Sequence, residues 1–291
     1  EAVMTEKHTF IPGNTNVYNK DYSSYSLEDV CLEMSSLGKG DIREPFIEVT
    51  YPNGSSTTDM VFDRAEIIQG KEEYDTLPGS YDDNGEVEQL VIYLKDRNYN
   101  LTLELHYYVY EKCDIITRSA KLVNSGNESV RLERLMSMQL DLNESDYELS
   151  FFNGAWAREM NRSRIPIRAG KYVNESVTGT SSNRANPFFM IGRSSTTEDY
   201  GECYGFNLIY SGNHYEAAQV NSYGKLRLVS GINPATFSYI IEAGKCFEAP
   251  EAVLTYSYKG YNRMSHNMHE FVRKHIVRGI WRDKERPVLI N

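Results

Sequence analysis

The chain reads as mainly β, a sandwich or barrel of many short strands followed by one helix near its end. Three observations predict this. Apolar and polar residues alternate over long stretches of the middle, which is the period of a strand. Turn signals rich in Asn, Gly, Asp and Pro recur about every ten residues, the rhythm of sandwiches and barrels. The three- and four-residue spacing of an amphipathic helix appears only after Asn262.

Taken in order, residues 1–25 are polar and aromatic, with Pro12, Gly13 and Asn14 marking a turn. Ser26 to Met34 is apolar at mixed spacing, and 37–41 is a loop. Phe46 to Tyr51 reads as a strand, closed by the hairpin signal Pro52-Asn-Gly54. Leu90, Ile92 and Leu94 alternate in one strand over 88–96. Leu101, Leu103, Leu105, Tyr107 and Val109 alternate in the next, over 100–110. Asp96-Arg-Asn98 between them makes a hairpin. Residues 114–123 keep the period, Asn124 to Asn127 turn the chain, and 130–142 continues it. Residues 161–186 show little period and read as loop. Six further strands are expected over 188–192, 204–210, 215–220, 225–229, 237–242 and 251–258. From Ser265, a plausible N-cap, Met268, Phe271, Val272, His275 and Ile276 predict about four helical turns, stopped near Gly279. The last run, Arg286-Pro-Val-Leu-Ile-Asn291, is apolar and strand-like, so the chain is expected to be cut within a longer protein.

Hydrophobic residues make up 40% of the 291, enough for a packed core within one large all-β domain. The formal net charge of -10 disfavours nucleic acid, whose phosphates need clustered Lys and Arg, and also anionic membranes. A neutral ligand such as a sugar is compatible with it. No apolar run approaches the roughly 20 residues of a membrane span. Cys31, Cys113, Cys203 and Cys246 form no CxxC pair and read as buried free thiols of a cytosolic protein. Without a secretory signal, the Asn-x-Ser/Thr sequons at Asn53, Asn100, Asn127, Asn143, Asn161 and Asn174 read as chance.

Nothing in the residues marks an active site. His266 and His269 are three apart on the helix but lack a third ligand at suitable spacing, so neither metal nor cofactor is expected. His106 alternates onto the polar side of its strand and is expected to be exposed. No phosphate loop, nucleophile elbow or Cys–His pair is present. The short turn Gly40-Asp-Ile-Arg43 reads as an Asx turn that its Arg ties down. The one candidate site residue is Trp156, in Gly154-Ala-Trp-Ala-Arg-Glu159. It is one of two tryptophans beside twenty-two tyrosines. A tryptophan between small residues and followed by Arg-Glu reads either as core at a strand end or as a platform for a pyranose ring.

Several longer blocks go further. They are Gly40-Asp-Ile-Arg43, Tyr110-Glu-Lys-Cys-Asp-Ile-Ile-Thr-Arg-Ser-Ala120, Gly154-Ala-Trp-Ala-Arg-Glu159 and Ser181-Ser-Asn-Arg-Ala-Asn-Pro-Phe188. Further on come Gly201-Glu-Cys-Tyr-Gly-Phe-Asn-Leu-Ile-Tyr-Ser-Gly-Asn213, Gly231-Ile-Asn-Pro-Ala-Thr-Phe237, Pro250-Glu-Ala-Val-Leu-Thr-Tyr-Ser257, His269 with Arg278-Gly279, and Arg286-Pro-Val-Leu-Ile-Asn291. In this order they resemble the amino-terminal domain of glycoside hydrolase family 36, the bacterial α-galactosidases.

The resemblance implies a large β-supersandwich over 1–262. Residues 263–291 would be a linker helix and the start of a catalytic (β/α)8 barrel. It implies retaining hydrolysis of terminal α-galactosides such as melibiose and raffinose, by two aspartates of the barrel that this chain would lack. The chain alone is then expected to be inactive, helping to shape the substrate site and build a homo-oligomer, a tetramer in the parent, in the cytoplasm. Trp156 carries over as a substrate-binding residue lent to a site whose catalytic groups lie elsewhere. A second lent residue of the family, an aspartate before a Phe-x-Pro turn, aligns with Lys7, beside Glu6, and is not carried over. The alternatives are a stand-alone carbohydrate-binding module and a structural assembly module.

Overall fold

The structure, a computed structural model, describes residues 27–290. The expectations for the turn at 12–14 and for Glu6 and Lys7 therefore lie outside the described residues. Two antiparallel sheets pack face to face, the supersandwich implied by the resemblance. The ten-stranded sheet holds β2 (Met60–Gln69), β3 (Glu88–Asp96), β4 (Leu101–Tyr110), β5 (Ile115–Asn124), β7 (Glu148–Ala155), β8 (Arg158–Pro166), β10 (Phe188–Gly192), β11 (Cys203–Ile209), β15 (Cys246–Glu248) and β16 (Glu251–Ser257). Its order is β2-β3-β4-β5-β16-β11-β10-β7-β8, with β15 alongside β5. The six-stranded sheet holds β1 (Ile47–Thr50), β6 (Val130–Leu142), β9 (Gly170–Glu175), β12 (His214–Val220), β13 (Leu226–Ile232) and β14 (Tyr239–Ile241). Its order is β1-β6-β13-β12-β9, with β14 on β6.

The alternation read in the sequence sets the layers. Leu101, Leu103 and Leu105 of β4 and Ala120 and Leu122 of β5 face inward, against Leu132 and Met136 of β6. Phe189, Phe206, Leu208 and Ala252 meet Met138, Leu226 and Leu228 in a second cluster. The outer face of the ten-stranded sheet is covered too. Helix α1 (Gly260–Phe271) lays Met264, Met268 and Phe271 on Tyr110, Ile115, Cys203 and Val253.

Where the structure departs from the sequence reading, the departures have physical causes. The unread strand β2 is an edge strand, largely exposed, and its register shifts between Phe62 and Arg64, which breaks the period of two. The expected loop over 161–186 holds most of β8 and all of β9. Most of β8 is exposed, so neither face selects apolar residues. His106 is buried rather than exposed, because the segment after β2 covers its side of the sheet. Its Nδ1 accepts from the Gln89 amide at 2.9 Å, and nearby the Lys71 ammonium sits 4.3 Å above the Tyr108 ring.

The helix starts at Gly260, not at a Ser265 N-cap. The carbonyls of Gly201, Thr197 and Glu198 accept the backbone N–H groups of Gly260, Tyr261 and Asn262 at 2.9, 3.1 and 2.8 Å. A neighbouring loop thus satisfies the orphan donors that a capping side chain would otherwise take. Only glycine fits there: φ is +75°, and a Cβ would stand 2.5 Å from the Glu198 carbonyl oxygen. After Phe271 the helix relaxes into a π-turn over Val272–Ile276. The boundary expected after 262 falls inside α1. Residues 286–290 form no strand among the described residues and are exposed. Of the four cysteines, Cys113 and Cys203 are buried, Cys31 is half-buried and Cys246 is exposed, so the expectation of four buried thiols does not hold. Among the described residues no helix is long and apolar enough to cross a membrane.

Candidate functional site

Trp156 sits at the tip of the β7–β8 hairpin. The root of this hairpin belongs to the sandwich: β7 pairs β10 through Phe151 and Phe189, and Leu149 is buried in the core. Beyond Asn153 the hairpin leaves the core, and Ala155 pairs with Arg158 across a two-residue loop of Trp156 and Ala157. Ala157, the second loop residue, takes the left-handed backbone with φ 57°. The Trp156 side chain is 91% exposed, so it is not a core residue.

The tip is nevertheless built stiffly. The register shifts between Asn153 and Ala155, leaving Gly154 as a bulge. A Cβ on Gly154 would lie 2.8 Å from the Arg158 carbonyl oxygen and 2.9 Å from that of Asn183, so glycine is obligatory. The small neighbour that suggested room for a ligand is thus filled by the chain itself, whereas exposed Ala155 keeps its side open. The segment 183–186 braces the hairpin from one side. Asn153 donates from Nδ2 to the Arg184 carbonyl at 2.9 Å, and Asn186 donates from its backbone N–H and its amide to the Phe152 carbonyl at 3.1 and 2.9 Å. Within the turn, the Ala157 N–H donates to Glu159 Oε1 at 2.9 Å. These Asn residues were missed in the sequence. The signal was the Asn-rich block at 181–188, which lacked a strand period to anchor it.

The arrangement presents an indole ring, backed by an Arg-Glu pair, on a fixed arm. It can wall a site for a ring with apolar C–H faces. Its one carboxylate, Glu159, is engaged with the turn's own backbone. The carboxyl of Glu216, pushed well up by burial, lies fully buried between the sheets, held by the Asn174 amide at 2.7 Å. His266 and His269 are both exposed on α1, and among the described residues no cluster of His, Cys, Asp and Glu could hold a metal. At the root of the hairpin, a groove of about 530 Å³ runs between Phe152, Met160 and Phe188 on one side and Met264 and Met268 of α1 on the other.

Comparison with known proteins gives the family. Residues 2–242 match the glycosyl hydrolase family 36 N-terminal domain, and residues 246–291 match Melibiase. Alpha-galactosidase AgaA of Geobacillus stearothermophilus is 39% identical over 269 residues, 92% of this chain and 37% of its own length. The solved structure of the α-galactosidase from Lactobacillus brevis has a TM-score of 0.92 at 36% identity, covering 98% of this chain and 39% of that one. A variant of AgaA solved in complex with raffinose has a TM-score of 0.91 at 35% identity, over 98% of this chain and 40% of that one. The chain spans less than half the length of these relatives. On the match over 2–242 and on these relatives, the chain belongs to glycosyl hydrolase family 36, as its N-terminal domain.

Proposed function

We propose that this chain is the non-catalytic N-terminal domain of an α-galactosidase and that Trp156 forms one wall of the parent's galactoside site. The observation that carries the reading is the 91% exposed Trp156 on a braced hairpin tip. A large aromatic held out in water by a rigid arm costs solvation free energy unless something else covers it. In this reading residues 263–291 lead into a catalytic (β/α)8 barrel, whose two aspartates perform retaining hydrolysis of terminal α-galactosides such as melibiose and raffinose. The exposed arm suits a site shared with the barrel, within a cytoplasmic homo-oligomer.

Kinetics test both halves. The purified 291-residue chain leaves p-nitrophenyl α-galactoside unhydrolysed; turnover abolished by a point mutation within the chain would sink the non-catalytic reading. In the full-length protein, Trp156→Ala raises KM for raffinose, with a loss in kcat/KM of about tenfold, the worth of one stacked ring. Kinetics unchanged by that substitution would remove Trp156 from the site.

A further inference from the structure

A second, larger cleft lies elsewhere, on the inner face of the ten-stranded sheet. Four strands form its floor. In register, Val109 of β4 stands opposite Ile116 of β5, Ile116 opposite Leu254 of β16, and Leu254 opposite Phe206 of β11. Two residues further along, Tyr256 stands opposite Tyr204, with ring centroids 4.9 Å apart. By alternation these side chains share the face that Leu105, Ala120 and Ala252 bury in the core. Here the six-stranded sheet leaves the face partly uncovered. Val109 and Ile116 are exposed, Tyr256 is 45% exposed, and Leu140 of β6 lines the cleft. The cleft holds about 910 Å³, within the span of roughly 300–1,000 Å³ of small-ligand sites.

Its polar end is prearranged. Arg118, two residues from Ile116 and nearly buried, donates from Nη1 to the Gln139 carbonyl of the facing sheet. From Nη2 it reaches Tyr107 Oη at 2.8 Å and Glu33 Oε1 at 2.7 Å. Tyr107 Oη donates to the same Glu33 oxygen. The Glu33 side chain is 39% exposed, and its second oxygen, Oε2, has no partner among the described residues. A carboxylate so held, with Oε2 bonded to no described residue at the edge of a tyrosine-lined floor, is an acceptor for a hydroxyl group. The rim carries the exposed Arg263–Asp114 pair and Lys259. Arg118, Lys259 and Arg263 disfavour a cation, and the open Glu33 oxygen disfavours an anion.

The register also separates this cleft from Trp156. Along β7, the step from Phe151 to the hairpin tip runs, strand by strand, toward the Glu251 end of β16. Tyr256 lies toward the other end. We propose that the cleft is a second saccharide site, which takes a neutral oligosaccharide of a few hexoses. One ring face would lie on Tyr256 and Tyr204, and a hydroxyl would donate to Glu33 Oε2.

Calorimetric titration of the chain with raffinose and with maltotriose tests this. One site with Kd on the order of 1 mM is expected for at least one of the two sugars. Tyr256→Ala and Glu33→Gln each weaken it about tenfold or more, while Tyr256→Phe leaves it within about twofold. Tyr258→Ala, at an exposed lining position where folding is not at stake, weakens it as well. Absence of binding to both sugars, binding untouched by the cleft variants, or binding lost with Trp156→Ala would each overturn the proposal. So would sedimentation showing that the cleft variants dissociate a dimer, since the face would then be a contact between copies. Raffinose binding lost with Trp156→Ala would instead place the sugar contact at the hairpin tip.

Discussion

At the scale of single residues, Trp156 and Gly154 show what a sequence carries and what it withholds. The block Gly154-Ala-Trp-Ala-Arg-Glu159 was visible at once, but core and platform readings of Trp156 stood side by side. Only the hairpin decides between them, and its second strand was illegible because β8 is largely wet and carries no alternation. Gly154 is the more exacting position. A methyl group there meets three backbone atoms, Arg158 O, Asn183 O and Glu159 Cα, at 2.8, 2.9 and 2.9 Å, and backbone cannot swing aside as a side chain can. Gly154→Ala should therefore lower the unfolding free energy by about 1–3 kcal/mol, the usual cost of overpacking. Urea unfolding measures this. In a Trp281→Phe background, the emission of Trp156 should also change, because the tip has to shift. A variant as stable as the parent, with unchanged emission, would show that the bulge yields freely.

At the scale of elements, the segment 27–46 is fastened to the six-stranded sheet by buried charge. The turn at Asp41 was legible as an Asx turn tied by its Arg. The Arg43 N–H and Nε–H both donate to Asp41 Oδ1 at 3.0 Å. What the turn is fastened to was not legible, since Asp141 on β6 and Arg227 on β13 lie far along the chain. Fully buried Arg227 binds both Asp141 oxygens at 2.7 Å and Asp41 at 2.7 Å, while Arg43 approaches Asp141 at 3.2 Å. Two cations and two carboxylates thus neutralise one another out of water. Removing one of them leaves a buried charge in excess, a loss on the order of 3–5 kcal/mol. Arg227→Met should destabilise by that amount and free the segment first. Limited trypsin digestion would then cut at Lys39 or Arg43 before the sandwich is touched. Equal resistance in variant and parent would mean that the apolar anchors Leu32 and Phe46 suffice without the charges.

At the scale of the whole molecule, two neutral groups on one strand shape how stability follows pH. His214 and Glu216 lie two apart on β12, so both point between the sheets, and both are buried. The sequence hid this, because two polar residues in alternation suggest a wet face. Burial lowers the His214 pKa from 6.5 to about 4. Burial also raises that of Glu216 well above 4.5, only partly offset by the Asn174 amide. The signs oppose. The depressed histidine contributes stability that is complete above about pH 6.5 and is lost as pH falls toward 4. The raised carboxyl contributes stability that is complete below about pH 4.5 and is lost as pH rises through its folded value. Above about pH 4.5, and below both 6.5 and the folded carboxyl's own value, the unfolded chain holds a proton on the histidine and the folded chain holds one on the carboxyl. The two slopes, each about 1.4 kcal/mol per pH unit, therefore cancel. The pair should leave the parent chain's stability flat across that window. Glu216→Gln, which can keep the Asn174 contact, should uncover the histidine, so stability climbs by about 3 kcal/mol from pH 4 to 6.5 and then levels. His214→Leu should uncover the carboxyl, so stability declines from about pH 4.5 up to the carboxyl's folded value and then levels. Denaturant titrations of the three proteins at half-unit steps of pH read the slopes directly. If the two variants kept the parent's profile, the unpartnered His214 nitrogens and Glu216 Oε1 would have to be hydrated and both groups charged in the fold.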